Sequence, residues 1–161
     1  MNDNNIIYNI IKDSLNQFFQ KNDIECVRKE INKLFLTLLY SDGVNWIYIQ
    51  NSFHTSDLPW KISVYFGKND LSDFNPQLYF INANPSIPLE GLEIFFDKKD
   101  KDEYFFEGNN YVETVREVCL SIKDIFQNIK NLNNEEFLEI KKKVYQMYMV
   151  INSEKKSKNK K

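Results

Sequence analysis

The chain has 161 residues, of which 42% are hydrophobic and 27% are charged, with four glycines and four prolines. A domain of this length buries enough apolar surface to fold without a metal or a disulfide, and the composition excludes a collagen-like or largely disordered protein. The net charge of -2 hides an asymmetry. Five of the 21 basic residues lie in the last seven positions, so residues 1–154 keep 16 basic against 23 acidic residues, a net charge of -7. Such a body repels nucleic-acid phosphates and favours basic partners.

Two amphipathic helices are predicted at the start of the chain. Apolar residues recur every three or four positions over residues 6–20, after an acceptable cap at Asn2 or Asp3. A second apolar stripe with the same spacing predicts another helix over residues 24–39, capped by Asn22.

Five short strands are predicted next, each rich in β-branched and aromatic residues and separated by clusters of Gly, Pro, Asn, Asp and Ser. They are VNWIYIQ (44–50), WKISVYFG (60–67), QLYFINA (77–83), LEIFFD (92–97) and EYFFEG (103–108). Because the connections are too short for crossover helices, neighbouring strands are expected to be antiparallel, with a meander as the simplest topology.

Helical spacing returns at the end of the chain. An apolar stripe from Val112 to Ile129 predicts a third helix, and Asn133 with Glu136 forms a capping box for a fourth helix that reaches Ile151. The fold class predicted is α+β: a single domain over residues 1–154, with a five-stranded, mainly antiparallel sheet flanked by two N-terminal and two C-terminal helices.

Residues 155–161 (KKSKNKK) are predicted to form a disordered, lysine-rich tail, because such a run cannot pack. We interpret it as a solubilising end. The second interpretation is an electrostatic contact with nucleic acid or a membrane surface. Nucleic-acid binding is not expected elsewhere in the chain.

The predicted sheet is more apolar than a sheet with one wet face requires. The strand at 60–67 alternates, with Ile62 and Val64 apolar against Lys61 and Ser63, but the other strands are apolar on both faces. Two explanations stay open. Helices cover both faces, or a partner or second copy docks on an aromatic face and forms a homodimer.

No motif in the sequence points to catalysis, a metal or a cofactor. His54 is the single histidine and is expected in a surface loop, while Cys26 and Cys119 are expected to be buried, reduced thiols. Glycine-rich phosphate loops and metal-ligand spacings are missing from the sequence. The N-terminus does not resemble a signal peptide and no apolar run approaches ~18 residues, so a cytoplasmic protein without a membrane span is predicted.

The densest acidic stretch is predicted to contact a basic partner, with a solvated turn as the alternative. Its spacing of carboxylates does not fit a calcium-binding loop. Acidic residues there would steer the partner, while one or two aromatic residues would hold the complex. The predicted partner-binding residues are Glu90, Glu93, Asp97, Asp100, Asp102, Glu103, Glu107, Phe95 and Phe105.

The sequence therefore favours a non-catalytic protein-binding module, an inhibitor or immunity-type protein that neutralises a basic partner such as a toxin. A dedicated chaperone is an alternative from the same class. The alternative from another class is a small-ligand-binding protein or enzyme with an aromatic pocket between sheet and helices. The expected pocket walls are Trp46, Tyr48, Trp60, Tyr65 and Tyr79.

Overall fold

The computed structural model of the chain describes residues 3–54, 60–68, 86–98, 104–105 and 111–159, which form four helices and six strands. In chain order they are α1 (Asn4–Lys21), β1 (Glu25–Ile31), β2 (Phe35–Ser41), β3 (Asn45–Ser52), β4 (Lys61–Lys68), β5 (Ser86–Pro88), α2 (Leu89–Phe95), β6 (Tyr104–Phe105), α3 (Tyr111–Ile129) and α4 (Asn134–Asn159). The strands form one antiparallel sheet with helices packed against it, which confirms the predicted α+β class.

The sheet is a meander from β1 to β4, in which each strand pairs antiparallel with the next. Both β5 and β6 pair with the far edge of β4. Tyr65 lies opposite Pro88 of β5, and Ile62 lies opposite Tyr104 of β6. Strand β4 therefore connects the meander to the segments that lead into α2 and α3.

Helix α1 begins as the sequence predicts. Asp3 has an extended backbone and its carboxylate accepts from the Asn5 amide at 2.8 Å, so it caps the helix. One face of the helix is buried, and its buried apolar residues are Ile7, Ile11, Leu15 and Phe19.

The helix predicted over residues 24–39 is wrong, because this segment forms the β1–β2 hairpin. Asn22 is the C-cap of α1 instead of an N-cap, and Asp23 has a positive φ of 56, a conformation that asparagine and aspartate tolerate. The Ile24 amide then donates to the Phe19 carbonyl, which closes the helix end. At the hairpin turn, the Asn32 side chain accepts from the amide of Phe35 at 2.8 Å.

The strand predicted over residues 92–97 is also wrong, since α2 occupies Leu89–Phe95. Helix α2 ends where Asp97 takes a positive φ of 57 and the Lys98 amide donates to the Glu93 carbonyl. Within the predicted strand at 103–108, the described strand is β6 alone. The strand predicted over residues 77–83 lies outside the described residues.

Both C-terminal helices are present, and the predicted capping box of α4 is confirmed. Asn133 accepts from the Glu136 amide at 2.8 Å, and the Glu136 carboxylate accepts from the Asn133 amide at 3.1 Å. Helix α4 includes residues 155–159, for which the sequence predicted a disordered tail. Once a helix is nucleated, lysine and glutamate extend it readily, since each added residue gains one hydrogen bond.

The main hydrophobic core lies on one face of the sheet and contains residues from α1, α3 and α4. A smaller cluster on the other face consists of Leu39, Trp46 and Tyr48, with Tyr65 packed against it, and it contains no helical residue. Trp46 is 1% exposed and Tyr48 is 4% exposed. These aromatic side chains are thus buried within the chain, so the aromatic face predicted for a homodimer does not offer them to a second copy.

Candidate partner-binding surface

The predicted partner-binding residues differ in how deeply they are buried. Glu90 and Glu93 point inward from α2 and are 7% and 1% exposed, so neither can form part of a contact surface. Asp97 is exposed and Phe95 is half-buried. Phe105 pairs with Lys61 through β6. Asp100, Asp102, Glu103 and Glu107 lie outside the described residues.

Glu93 belongs to a buried polar cluster that joins α2, β6 and α3. The Tyr104 hydroxyl donates to the Glu93 carboxylate, with its oxygen 2.6 and 2.8 Å from the two carboxylate oxygens. The Ser121 hydroxyl lies 2.9 Å from the same phenolic oxygen and donates to Glu93 at 3.4 Å. Burial, and then the hydrogen bond with Glu93, raise the pKa of Tyr104. The cluster therefore holds α2 in place from inside the molecule.

An exposed surface lies at the end of α2, where the helix meets α3. The rings of Phe95 and Phe96 are both half-buried and pack edge to face with centroids 5.0 Å apart. Asp97 follows them directly, and the Lys98 ammonium lies 3.7 Å from an Asp124 carboxylate oxygen. We call these five residues, Phe95, Phe96, Asp97, Lys98 and Asp124, the α2-end surface. It combines a semi-exposed aromatic pair with carboxylates at its rim, which is the usual composition of a protein interface.

Phe96, Lys98 and Asp124 are the members of this surface that the sequence did not predict, and Asp124 is the acidic one. The predicted acidic residues belong to one continuous stretch of chain, whereas Asp124 comes from α3. A signal was present in the sequence: Glu117 and Asp124 are seven residues apart, so they share the polar side of a predicted helix.

A second polar cluster surrounds the buried Lys68, which is the last residue of β4. The Lys68 ammonium is nearly buried and donates to the Asn45 side-chain oxygen and to the Lys130 carbonyl. Burial lowers the pKa of Lys68, while the charges of Asp42 and Glu136 oppose that shift. Because the Lys130 carbonyl lies just past the end of α3, this lysine complements the negative end of the helix dipole. Its role is to join α3 to the β2–β3 turn.

The aromatic pocket expected from the sequence is divided between the two sheet faces. Trp46, Tyr48 and Tyr65 belong to the smaller cluster. Trp60 packs against the main core, with its ring edge to face with Phe53 at 5.3 Å. Tyr79 lies outside the described residues. The four described residues therefore do not line one cavity.

The histidine and one cysteine lie as predicted, and the other cysteine does not. His54 is exposed, and Cys119 is buried. Burial raises the pKa of Cys119 to about 11, although the Ser14 hydroxyl and the Lys123 charge act to lower it. Cys26 is exposed, because it lies on the edge strand β1 and not on the apolar side of a helix.

Within the described part of the chain, no three His, Cys, Asp or Glu side chains come together as a metal site. The described helices also include none that is long and apolar enough to cross a membrane. Comparison with protein-family models, curated proteins and solved structures gave no match to this chain.

Proposed function

We propose that the protein is a non-catalytic binding module of the cytoplasm that neutralises a basic protein, as an inhibitor or immunity protein does. The α2-end surface is the contact site in this proposal. The observation that supports it is the juxtaposition of the half-buried Phe95–Phe96 pair with the exposed carboxylates of Asp97 and Asp124.

The two kinds of residue have different physical roles in the proposed complex. Carboxylates at the rim, together with the net charge of -7 over residues 1–154, accelerate the encounter with a basic surface. The aromatic pair then gives up its remaining exposed surface to the partner, and desolvated aromatic side chains account for much of the binding energy of protein interfaces. Lys98 follows Asp97 in the chain and pairs with Asp124, and it can release Asp124 to a cation of the partner, since an exposed ion pair of this kind contributes little.

Binding by the full chain tests this proposal. The chain serves as bait in native lysate, and affinity for each purified basic protein that is captured is measured by titration calorimetry. Reversing charge with Asp97→Lys and Asp124→Lys is expected to raise the dissociation constant by about 10- to 100-fold, because like charges then face each other across the interface.

A matched control reverses two exposed acids elsewhere, Asp13→Lys on α1 and Glu139→Lys on α4. It changes net charge equally and is expected to slow association slightly without a large loss of affinity. Equal weakening by both double variants would reduce the effect to net charge and contradict the proposed site. Unchanged affinity after reversal at Asp97 and Asp124 would contradict it as well.

The partner's behaviour distinguishes inhibition from chaperoning. An inhibitor or immunity protein lowers the activity or toxicity of its folded partner in proportion to the complex formed. A dedicated chaperone instead raises the yield of folded partner and leaves its activity intact. The proposal expects the first result, and the second would overturn the inhibitor assignment.

A further inference from the structure

On the outer face of α3, basic and acidic residues lie on opposite sides of one exposed leucine. Leu120 is 66% exposed. Arg116 and Lys123 line a groove with α1, which places them on the α1 side of Leu120. Asp124 pairs with Lys98 at the end of α2, and Glu117, which also has an interaction within the chain, lies two turns before it on the same side. Helix α3 thus presents a cationic edge and an anionic edge separated by an apolar side chain.

The groove between α1 and α3 has a volume of about 620 Å³ and a lining that is polar and apolar in equal parts. Arg116 and Lys123 form no ion pair with any other part of the chain that the structure describes. Arg116 is one of the two arginines in the sequence. Asp13 of α1 also lines this groove but forms no ion pair with either cation, so Arg116 and Lys123 remain available to anionic groups from outside the molecule.

Their spacing defines what such a partner must carry. Seven residues along a helix span about 10.5 Å, so Arg116 and Lys123 cannot converge on a single phosphate or carboxylate. They require two anionic groups two turns apart, with an apolar side chain between them to cover Leu120. Helix α3 carries this pattern itself, because Glu117, Leu120 and Asp124 present an acid, a leucine three positions on and a second acid seven positions on.

We propose that the protein forms a homodimer in which the α3 helices of two copies pack in parallel about a twofold axis. Leu120 of each copy meets Leu120 of the other. Arg116 then lies beside Glu117 of the second copy, and Lys123 lies beside Asp124 of the second copy, so each ion pair forms twice. An antiparallel pair would instead bring cationic edge against cationic edge, because the twofold axis perpendicular to the helices keeps each edge on its own side.

A single helix face is small beside the 20–30 residues a side that a standard interface uses, so the dimer is expected to be weak and sensitive to salt. Sedimentation velocity of the full chain over the micromolar to millimolar range measures it. Wild-type protein is expected to show a concentration-dependent shift from monomer to dimer that diminishes as ionic strength rises.

Two charge-reversal variants test the pairing. One carries Arg116→Glu and Lys123→Glu and has an acidic face, whereas the other carries Glu117→Lys and Asp124→Lys and has a basic face. Each alone is expected to dimerise at least about tenfold more weakly than wild type, because like charges then oppose each other. An equimolar mixture of the two is expected to regain the dimer, since every opposing pair is again of opposite sign.

The matched control is Lys142→Glu with Lys143→Glu, which reverses two exposed cations on α4 and is expected to dimerise like wild type. Circular dichroism checks that each variant remains folded. A wild type that stays monomeric throughout, a mixture that does not regain the dimer, or a control as weak as the acidic-face variant would each overturn the proposal. Asp124 also belongs to the α2-end surface, but these measurements use no partner protein, so their failure is distinct from failure of the proposed function.

Crosslinking tests the parallel direction. With Cys26→Ser removing the exposed thiol, Gln127→Cys is expected to give a disulfide-linked dimer under mild oxidation, because parallel packing brings the two copies of this residue together. In an antiparallel pair they would be about 21 Å apart along the helix axis, the length of the 14 residues from Glu113 to Gln127. A dimer that forms in solution without this crosslink would overturn the parallel arrangement.

Discussion

Gly67 in β4 lies against the indole ring of Trp46, its antiparallel neighbour in β3. A Cβ atom at Gly67 would overlap that ring, which is 1% exposed and has no room to move. We therefore expect Gly67→Ala to lower the free energy of unfolding by about 2–3 kcal/mol, the upper part of the usual cost of overpacking a well-packed site. Urea unfolding followed by circular dichroism measures the loss.

Gly43→Ala is the matched control for this prediction. Gly43 has open space around its Cα but a φ of 96, so alanine there pays only for backbone strain, about 1 kcal/mol. Replacing Trp46 with phenylalanine in the Gly67→Ala protein is expected to restore part of the loss. If Gly67→Ala costs no more than Gly43→Ala, the indole ring does not pack as described.

The Tyr104 hydroxyl is the hydrogen-bond donor that faces the buried Glu93 carboxylate. Tyr104→Phe removes it and leaves a buried charged group with fewer partners, so we expect a loss of about 1–3 kcal/mol in the free energy of unfolding near pH 7. Equilibrium urea unfolding of the variant and the wild type gives the difference.

The same substitution has a pH dependence of known sign. Since burial and Glu93 raise the pKa of Tyr104, the folded chain holds the phenolic proton more tightly than the unfolded chain does. This contribution is complete below the ordinary tyrosine pKa of 10.0 and declines as the pH rises above it. The advantage of wild type over Tyr104→Phe is therefore expected to be smaller at about pH 11 than at about pH 8. Ser121→Ala keeps the phenol and is expected to retain the alkaline decline, and a pH-independent advantage over Tyr104→Phe would contradict the argument.

At the scale of elements, the β1–β2 hairpin shows where apolar spacing misleads. The apolar residues of 24–39 fit a helical stripe, yet they fit two strands equally well once a turn is placed between them. The deciding residues are polar: Asp23 adopts a positive φ after α1, and Asn32 accepts from two backbone amides in the turn. Periodicity predicted α1 and α3 because the buried residues of those segments keep a spacing of three or four positions along a single element.

Part of helix α2 was predicted to be a strand, because of its residue types and not its spacing. The doublet Phe95–Phe96 and Ile94 favour a strand by residue type. The segment is nevertheless helical, because Pro88 leads in with an extended backbone and Asp97 ends the turn with a positive φ. In a helix of seven residues, too few apolar positions recur to distinguish helical spacing from that of a strand of similar length.

Asp42 stabilises the β2–β3 turn through hydrogen bonds from the backbone amides of Val44 and Asn45, at 2.9 and 2.6 Å. Asp42→Ala leaves both amides without this acceptor, and we expect it to destabilise the protein by about 1–2 kcal/mol at neutral pH. Urea unfolding across the acid range measures the effect, with Asp13→Ala on the exposed side of α1 as a control expected to change little.

The pH dependence of Asp42→Ala follows from the pKa of the carboxyl group. Partial burial raises the pKa of Asp42, but the hydrogen bonds from Asn45 and Val44 outweigh it and leave the pKa below its ordinary value of 3.8. Its stabilising effect is therefore present above that pH and lost as the pH falls further. The difference between wild type and Asp42→Ala is expected to close in that range. A difference that persists in full there would mean that the carboxylate charge is not involved.

For the whole molecule, the sequence predicted which residues are acidic but not how deep they lie. Glu90 and Glu93 belong to the same acidic stretch as Asp97. They lie on the inward face of α2, which packs against α3, and are buried, whereas Asp97 follows the helix and is exposed. That face follows from tertiary packing, which no local pattern in the stretch encodes. Asp124 reaches the end of α2, where it pairs with Lys98, for the same reason, since α2 and α3 pack against each other.

The two cysteines report on the cooperativity of the whole molecule. Cys26 is exposed on β1, whereas Cys119 lies in the main core that joins α1, α3, α4 and the strands. In the native protein we expect Cys26 to react rapidly with a thiol reagent and Cys119 to stay protected, because Cys26 is exposed whereas Cys119 is 1% exposed. A Cys26→Ser variant isolates the second thiol. Since one core spans the elements, the free energy of opening obtained from Cys119 labelling is expected to equal that from urea unfolding. A much smaller value would mean that α1 separates from α3 while the rest of the molecule stays folded.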